Sequence, residues 1–198
     1  MKILRTLSAT TLLLLCFVQC AFAAAAPLET ETTEELHLDY LEFYENQEYY
    51  DNLARTEGYR LVINVGEEYA ALEEARIASE SGSIHDLIST TTRGANVPTQ
   101  GWNIANKGPY SFKGTAQFQP IYTDVYVTGY TSYKVTAYNK SNARTPAQAW
   151  GVSGGFEPFS CPAHSTVIEY FVPVSSSSHF YLKFFPYVDV TGTIAKDT

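Results

Sequence analysis

Apolar residues along this chain follow three different spacings, and each spacing predicts a different element. Leu12 to Val18 form an unbroken apolar run behind the basic residues Lys2 and Arg5. The run is too short to span a bilayer, which takes about 20 residues. Ala21-Phe22-Ala23 follows it as a small-x-small motif. Residues 1–23 therefore read as a signal peptide cut near Ala23, and the product is expected to be secreted. No later segment is apolar over such a length, so no membrane span is expected in the mature chain.

Further on, Leu36, Tyr40, Phe43, Tyr44, Gln47 and Tyr50 recur at threes and fours. That spacing predicts a helix with one aromatic stripe, placing Glu45, Glu48 and Asp51 off the stripe in water. Tyr59 to Val65 predicts a short strand with Tyr59, Leu61, Ile63 and Val65 on one side. EEYAALEEARIASES predicts a second helix, its high-propensity Ala, Leu and Glu presenting Tyr69, Leu72 and Arg76 on one face.

From Gly101 onward the spacing changes to alternation. Strands are predicted at 110–118, 121–127, 133–139, 147–152, 166–172, 180–185 and 188–194, separated by Gly, Pro, Asn and Ser turn signals. Nineteen aromatic residues fall in these ninety-eight positions, as β propensity favours. The expected fold is mainly β: a C-terminal antiparallel β-sandwich, jelly-roll or immunoglobulin-like, of about seven to eight strands. Pro120, Pro173 and Pro186 favour open edges over a closed barrel.

Charge divides the chain at the same place. Residues 27–100 hold sixteen acidic and four basic residues, residues 101–198 five and seven. The predicted organisation is a signal peptide (1–23), an acidic, partly helical or disordered region (24–93), a linker (94–100) and a β-sandwich domain (101–198). Arg93-Gly94 is a candidate processing bond, which would make the acidic region a pro-segment. The lack of basic clusters in a chain of net charge −8 argues against nucleic acid as a partner.

Tyrosine draws attention to residues 122–141, YTDVYVTGYTSYKVTAYNKS. If 122–128 and 132–138 pair as a hairpin around Gly129-Tyr130-Thr131, Val125 faces Val135 inside. Tyr122 then lies opposite Tyr138, and Tyr126 opposite Lys134, on the outside. Tyr122, Tyr126, Lys134 and Tyr138 are thus the candidate ligand-binding residues, with Trp102 and Trp150 as further platforms. Planar rings beside polar groups suit a glycan or a protein surface. Tyrosine filling an ordinary sheet accounts for the same pattern.

Catalytic motifs are sparse. Loss of the signal removes Cys16 and Cys20, leaving Cys161 as a lone thiol without a disulfide partner. Cys161 and His164 could form a nucleophile pair only if the fold set the imidazole against the thiol and supplied an orienting group and oxyanion donors. Asp124, Glu157, Glu169, Asp189 and Asp197 are the carboxylates from which a hydrolytic pair could be drawn. Glu169 alternates with Ile168 and Tyr170 and is expected on the solvent side of its strand. Asn139-Lys140-Ser141 matches a glycosylation sequon. No motif calls for a cofactor or a metal. The expected function is surface recognition of glycan or protein without catalysis. The alternatives are a precursor that releases a β-rich effector or toxin, and a small hydrolase using Cys161/His164 or a carboxylate pair.

Overall fold

The computed structural model describes residues 33–80, 84–86, 88–89, 98–151, 154–171 and 179–197. The signal segment, the Arg93-Gly94 bond and residues 172–178 lie outside these residues. The acidic region contributes β1 (Glu35–Asp39), α1 (Tyr40–Glu45), α2 (Gln47–Glu57), β2 (Arg60–Asn64), α3 (Ala70–Ser79), β3 (Ile84–Asp86) and β4 (Ile88–Ser89). Then come β5 (Gly101–Asn103), α4 (Ile104–Lys107), β6 (Tyr110–Ala116), β7 (Ile121–Tyr122), β8 (Tyr126–Thr128) and β9 (Tyr133–Asn139). β10 (Thr145–Gly151), β11 (Gly154–Cys161), β12 (Ser165–Phe171), β13 (Phe180–Phe184) and β14 (Val188–Lys196) complete the order.

The protein is mainly β, with its strands in two mixed sheets. Sheet A runs β1-β2-β12-β9-β14-β6-β3, and sheet B runs β11-β10-β13-β7-β4, with β8 joining β13 to β5. Three pairings are parallel (β1 with β2, β3 with β6, β5 with β8), a departure from the all-antiparallel expectation. The charge boundary near residue 100 is not a boundary in the fold. Thr33–Thr198 is one compact unit, and β2 lies hydrogen-bonded beside β12 within sheet A.

Two apolar clusters hold this arrangement. The first lies between the sheets and takes Val62, Val135 and Val167 from sheet A with Ala149, Leu182 and Phe184 from sheet B. Val125 and Val135 are both buried in it, as the alternation predicts. The second lies on the other side of sheet A, where Tyr40, Phe43, Ala54 and Ile77 of the helices cover Leu61, Ile63, Tyr138 and Ile168. Sheet A is therefore buried on both faces around β2 and β12, which is why β2 is apolar without strict alternation. Gly192 is required at the centre of this sheet. A Cβ there would collide with the Thr136 carbonyl oxygen and the Phe112 ring.

Several sequence expectations are corrected here. Residues 35–39 form a strand rather than the first turn of a helix, because pairing with β2 overrides the threes-and-fours spacing. On α3, Leu72 is 60% exposed while Glu73 and Ile77 are buried. The buried face is one residue further round than apolar spacing indicates. Glu73 can face inward because its carboxylate accepts hydrogen bonds from Arg76 Nε (2.8 Å), Arg76 Nη2 (2.8 Å), Thr166 Oγ1 (2.7 Å) and Tyr44 Oη (2.8 Å). Burial alone would raise the Glu73 pKa, but these donors outweigh it and leave the pKa below its ordinary value. Glu169 is likewise buried rather than solvated. It shares its facing with Val167 and Phe171 toward the inter-sheet core, where Arg60 of β2 pairs with it.

Candidate functional site

The expected hairpin does not form. β9 pairs with β12 and β14 in sheet A, whereas β7 and β8 pair with β13 in sheet B. Residues 123–125 interrupt the single strand expected over 121–127. There the buried Thr123 hydroxyl takes the place of a ladder group, donating to the Val125 carbonyl (2.9 Å) and accepting from the Leu182 N–H (3.2 Å).

The four candidate residues are therefore divided between two sheets. Tyr138 is buried in the helix-covered cluster, and burial raises its pKa to about 12. Lys134 Nζ donates to Asp51 Oδ2 at 2.7 Å, and Asp51 Oδ1 also accepts from Tyr170 Oη at 2.8 Å. Asp51, expected in open water, instead pins α2 to sheet A. Lys134 and Tyr138 belong to the attachment of the acidic helices.

Tyr122 and Tyr126 are half-buried on sheet B, on the face opposite the inter-sheet core. That outer face carries a cross-strand row of rings. Trp150 of β10 lies directly opposite Tyr181 of β13, and Lys183 lies opposite both Gln148 and Tyr122. The Tyr122 and Tyr181 ring centroids are 6.0 Å apart. Lys183 Nζ stands 4.5 Å from the Phe185 ring centroid, 5.5 Å from Trp150 and 5.8 Å from Tyr122. At the border of the row, the Tyr126 ring packs against His179 at 4.7 Å and lies over Gly101, where a side chain would strike it. Among the described residues no helix packs on this face; α1, α2 and α3 all cover sheet A.

Local sequence builds the row. In β13, FYLKF, alternation sends Phe180, Leu182 and Phe184 inward and leaves Tyr181 and Lys183 outward. In β10, Ala147 and Ala149 face inward while Gln148 and Trp150 are half-exposed. The signal for Trp150, Tyr181 and Lys183 was present in these two alternations. What the sequence withheld was that β10 and β13 are neighbours. Trp102, the other expected platform, packs instead against the core and donates its Nε1–H to the Gly108 carbonyl at 3.0 Å.

Of the described hydrolytic candidates, Cys161 and His164 lie in different surroundings, while Glu169 and Asp197 share a cavity. Cys161 is fully buried between the sheets, and desolvation raises its thiol to about 12, so it stays protonated. His164 sits on a surface turn at φ 49°, with Nε2 2.6 Å from Asn142 Oδ1. Asp124 accepts from Tyr110 Oη (2.5 Å) and lies 3.4 Å from His85 Nδ1. Asp189 lies 3.5 Å from Lys140 Nζ. Glu169 and Asp197 line one cavity of about 290 Å³, but Arg60 pairs with the first and Arg55 with the second. The side chain of Glu157 lies outside the described residues. Among the described residues no group of three or more His, Cys, Asp or Glu could hold a metal ion, and no helix is long and apolar enough to cross a membrane.

Asn139 of the sequon is fully buried in β9. Its Nδ2 donates to the carbonyls of Ala143 (2.8 Å), Cys161 (2.9 Å) and Pro162 (3.1 Å), while Oδ1 accepts from Ser141 Oγ at 2.7 Å. In the folded chain this amide is a structural tie between the β9 and β11 ends.

Comparison with protein-family models, with curated proteins and with solved structures finds no match.

Proposed function

We propose that the protein is secreted and acts without catalysis, recognising a glycan through the outer face of sheet B. The scaffold is read as a β-sandwich in which sheet A is anchored by the acidic helices and sheet B presents the ligand surface. The observation that carries this reading is the cross-strand row Trp150–Tyr181 with Tyr122 and Lys183, on a face that no described helix covers. Rings in a row offer flat apolar platforms. The polar groups of Gln148 and Lys183 beside them can hold hydroxyl groups in register. A protein ligand is the other class such a face suits.

The test is a glycan array probed with the full mature chain and with Trp150→Ala/Tyr181→Ala, both checked for native circular dichroism. Wild type is expected to retain a defined set of glycans, with the double variant at least about tenfold weaker, since each stacked ring contributes roughly 1 kcal/mol. Equal retention by the two proteins would overturn the assignment of the face.

A further inference from the structure

The cations among the described residues fall into two groups. Arg55, Arg60, Arg76, Lys113, Lys134 and Lys140 each have a carboxylate oxygen within 4.0 Å. Lys183 has no such partner among the described residues, although the chain as a whole carries a net charge of −8. It is held instead by three rings, Phe185, Trp150 and Tyr122. Lys107 and Lys196 also rest on aromatic rings, but on one ring each, Trp102 and Tyr130. Among the described residues, the positive charge on the aromatic row therefore has no carboxylate partner.

A ring-shaped ligand that brings an anionic oxygen to Lys183 would satisfy the aromatic platform and the cation together.

We infer that the ligand of the sheet B face is an acidic saccharide, one whose carboxylate or sulfate group docks on Lys183 while its sugar rings lie on Trp150, Tyr181 and Tyr122. This inference rests on the glycan reading above and narrows it. Attraction to Lys183 is short-ranged, because salt screens exposed charges beyond about 8 Å at physiological ionic strength. The saccharide must therefore be placed by the rings, and charge selects among saccharides already placed.

The experiment uses two matched pairs of probes and titration calorimetry on the full mature chain. One pair is a tetragalacturonate and its methyl ester, and the other is a sulfated galactan oligosaccharide and its desulfated form. The expected result is binding of one acidic member at least about tenfold tighter than its neutral partner, as a charge-assisted hydrogen bond contributes. Which pair shows the difference tells carboxylate from sulfate. Lys183→Met, which keeps the aliphatic stem over the rings, should abolish that difference, Lys183→Arg should restore it, and Lys107→Met should leave it intact. Equal binding of acidic and neutral members overturns the inference but leaves the glycan reading standing. An acidic preference unaffected by Lys183→Met also overturns it, assigning the charge selection elsewhere. If none of the four probes binds while an acidic peptide does, both the inference and the glycan reading fail.

Discussion

Replacing Glu73 by Gln tests how firmly the acidic helices belong to the fold. Glu73 is 0% exposed, and its carboxylate receives four hydrogen bonds, from α1, from α3 itself and from β12. Gln has the same shape, can accept from Thr166, and loses the charge that Arg76 pairs with. Breaking a buried ion pair costs about 3–5 kcal/mol when the remaining charge is stranded. Arg76 is not wholly stranded, since its side chain is 20% exposed and it also pairs with Glu80. The cost of Glu73→Gln at pH 7 is therefore placed at about 2–3 kcal/mol. Urea denaturation at a slope of about 2 kcal/mol per molar would show this as a midpoint lowered by about 1 M.

The pH dependence gives a sharper check. The pKa of Glu73 is lower in the folded chain than its ordinary value of 4.5, so its stabilisation is complete above 4.5 and is lost as pH falls through the folded value. Protonated Glu and Gln are near-equivalent hydrogen-bonding groups. The wild-type and Gln midpoints should therefore converge as pH falls below about 4.5. A gap under about 0.5 kcal/mol at pH 7, the range of ordinary surface substitutions, or a gap that does not narrow in acid, would refute the argument.

Further expectations follow from three buried residues. Cys161 should resist a thiol-reactive disulfide reagent at pH 8 in the native state and react at once in denaturant; rapid native labelling would contradict its burial and its pKa of about 12. Asn139→Asp removes the donors to three carbonyls and sets a carboxylate against them, so a loss of at least about 3 kcal/mol is expected in urea. Intact mass of folded protein from a glycosylating host should show Asn139 unmodified, and a glycan found there would overturn its structural role. Gly192→Ala should destabilise by about 2 kcal/mol or more through collision with Thr136 and Phe112, and a neutral effect would mean that β6 and β9 are not its close neighbours.

What the sequence revealed and what it withheld divide along one physical line. Alternation is a local property, so the limits of β9 and the inward facing of Val125 and Val135 were legible. Strand partners are not local. Thr136 pairs with Ile168 and Thr193, both distant in the chain, and no turn chemistry announces either pairing. The three-residue loop Gly129-Tyr130-Thr131 suits a hairpin, yet sheet B claims the first half through β13. β11 is absent from the predicted strands because Gly154-Gly155 reads as a turn signal; on an edge strand these glycines are tolerated. The rule that charge marks the surface failed at Glu73, Arg60 and Glu169, where buried partners neutralise one another. It failed again at Asp51 and Lys134, which join the acidic region to the sheet. The aromatic row was half visible. Tyr122 and Trp150 were singled out for their chemistry, but only the β10–β13–β7 order assembles them with Tyr181 and Lys183.

The most direct measurement is a map of amide and indole NMR shifts in the full mature chain, titrated with the tightest saccharide from the array. Shifts concentrated at Tyr122, Trp150, Tyr181 and Lys183, with sheet A silent, are the predicted result. Shifts confined instead to the cavity lined by Arg55, Ser132, Glu169 and Asp197 would contradict the account and move the ligand to the opposite sheet.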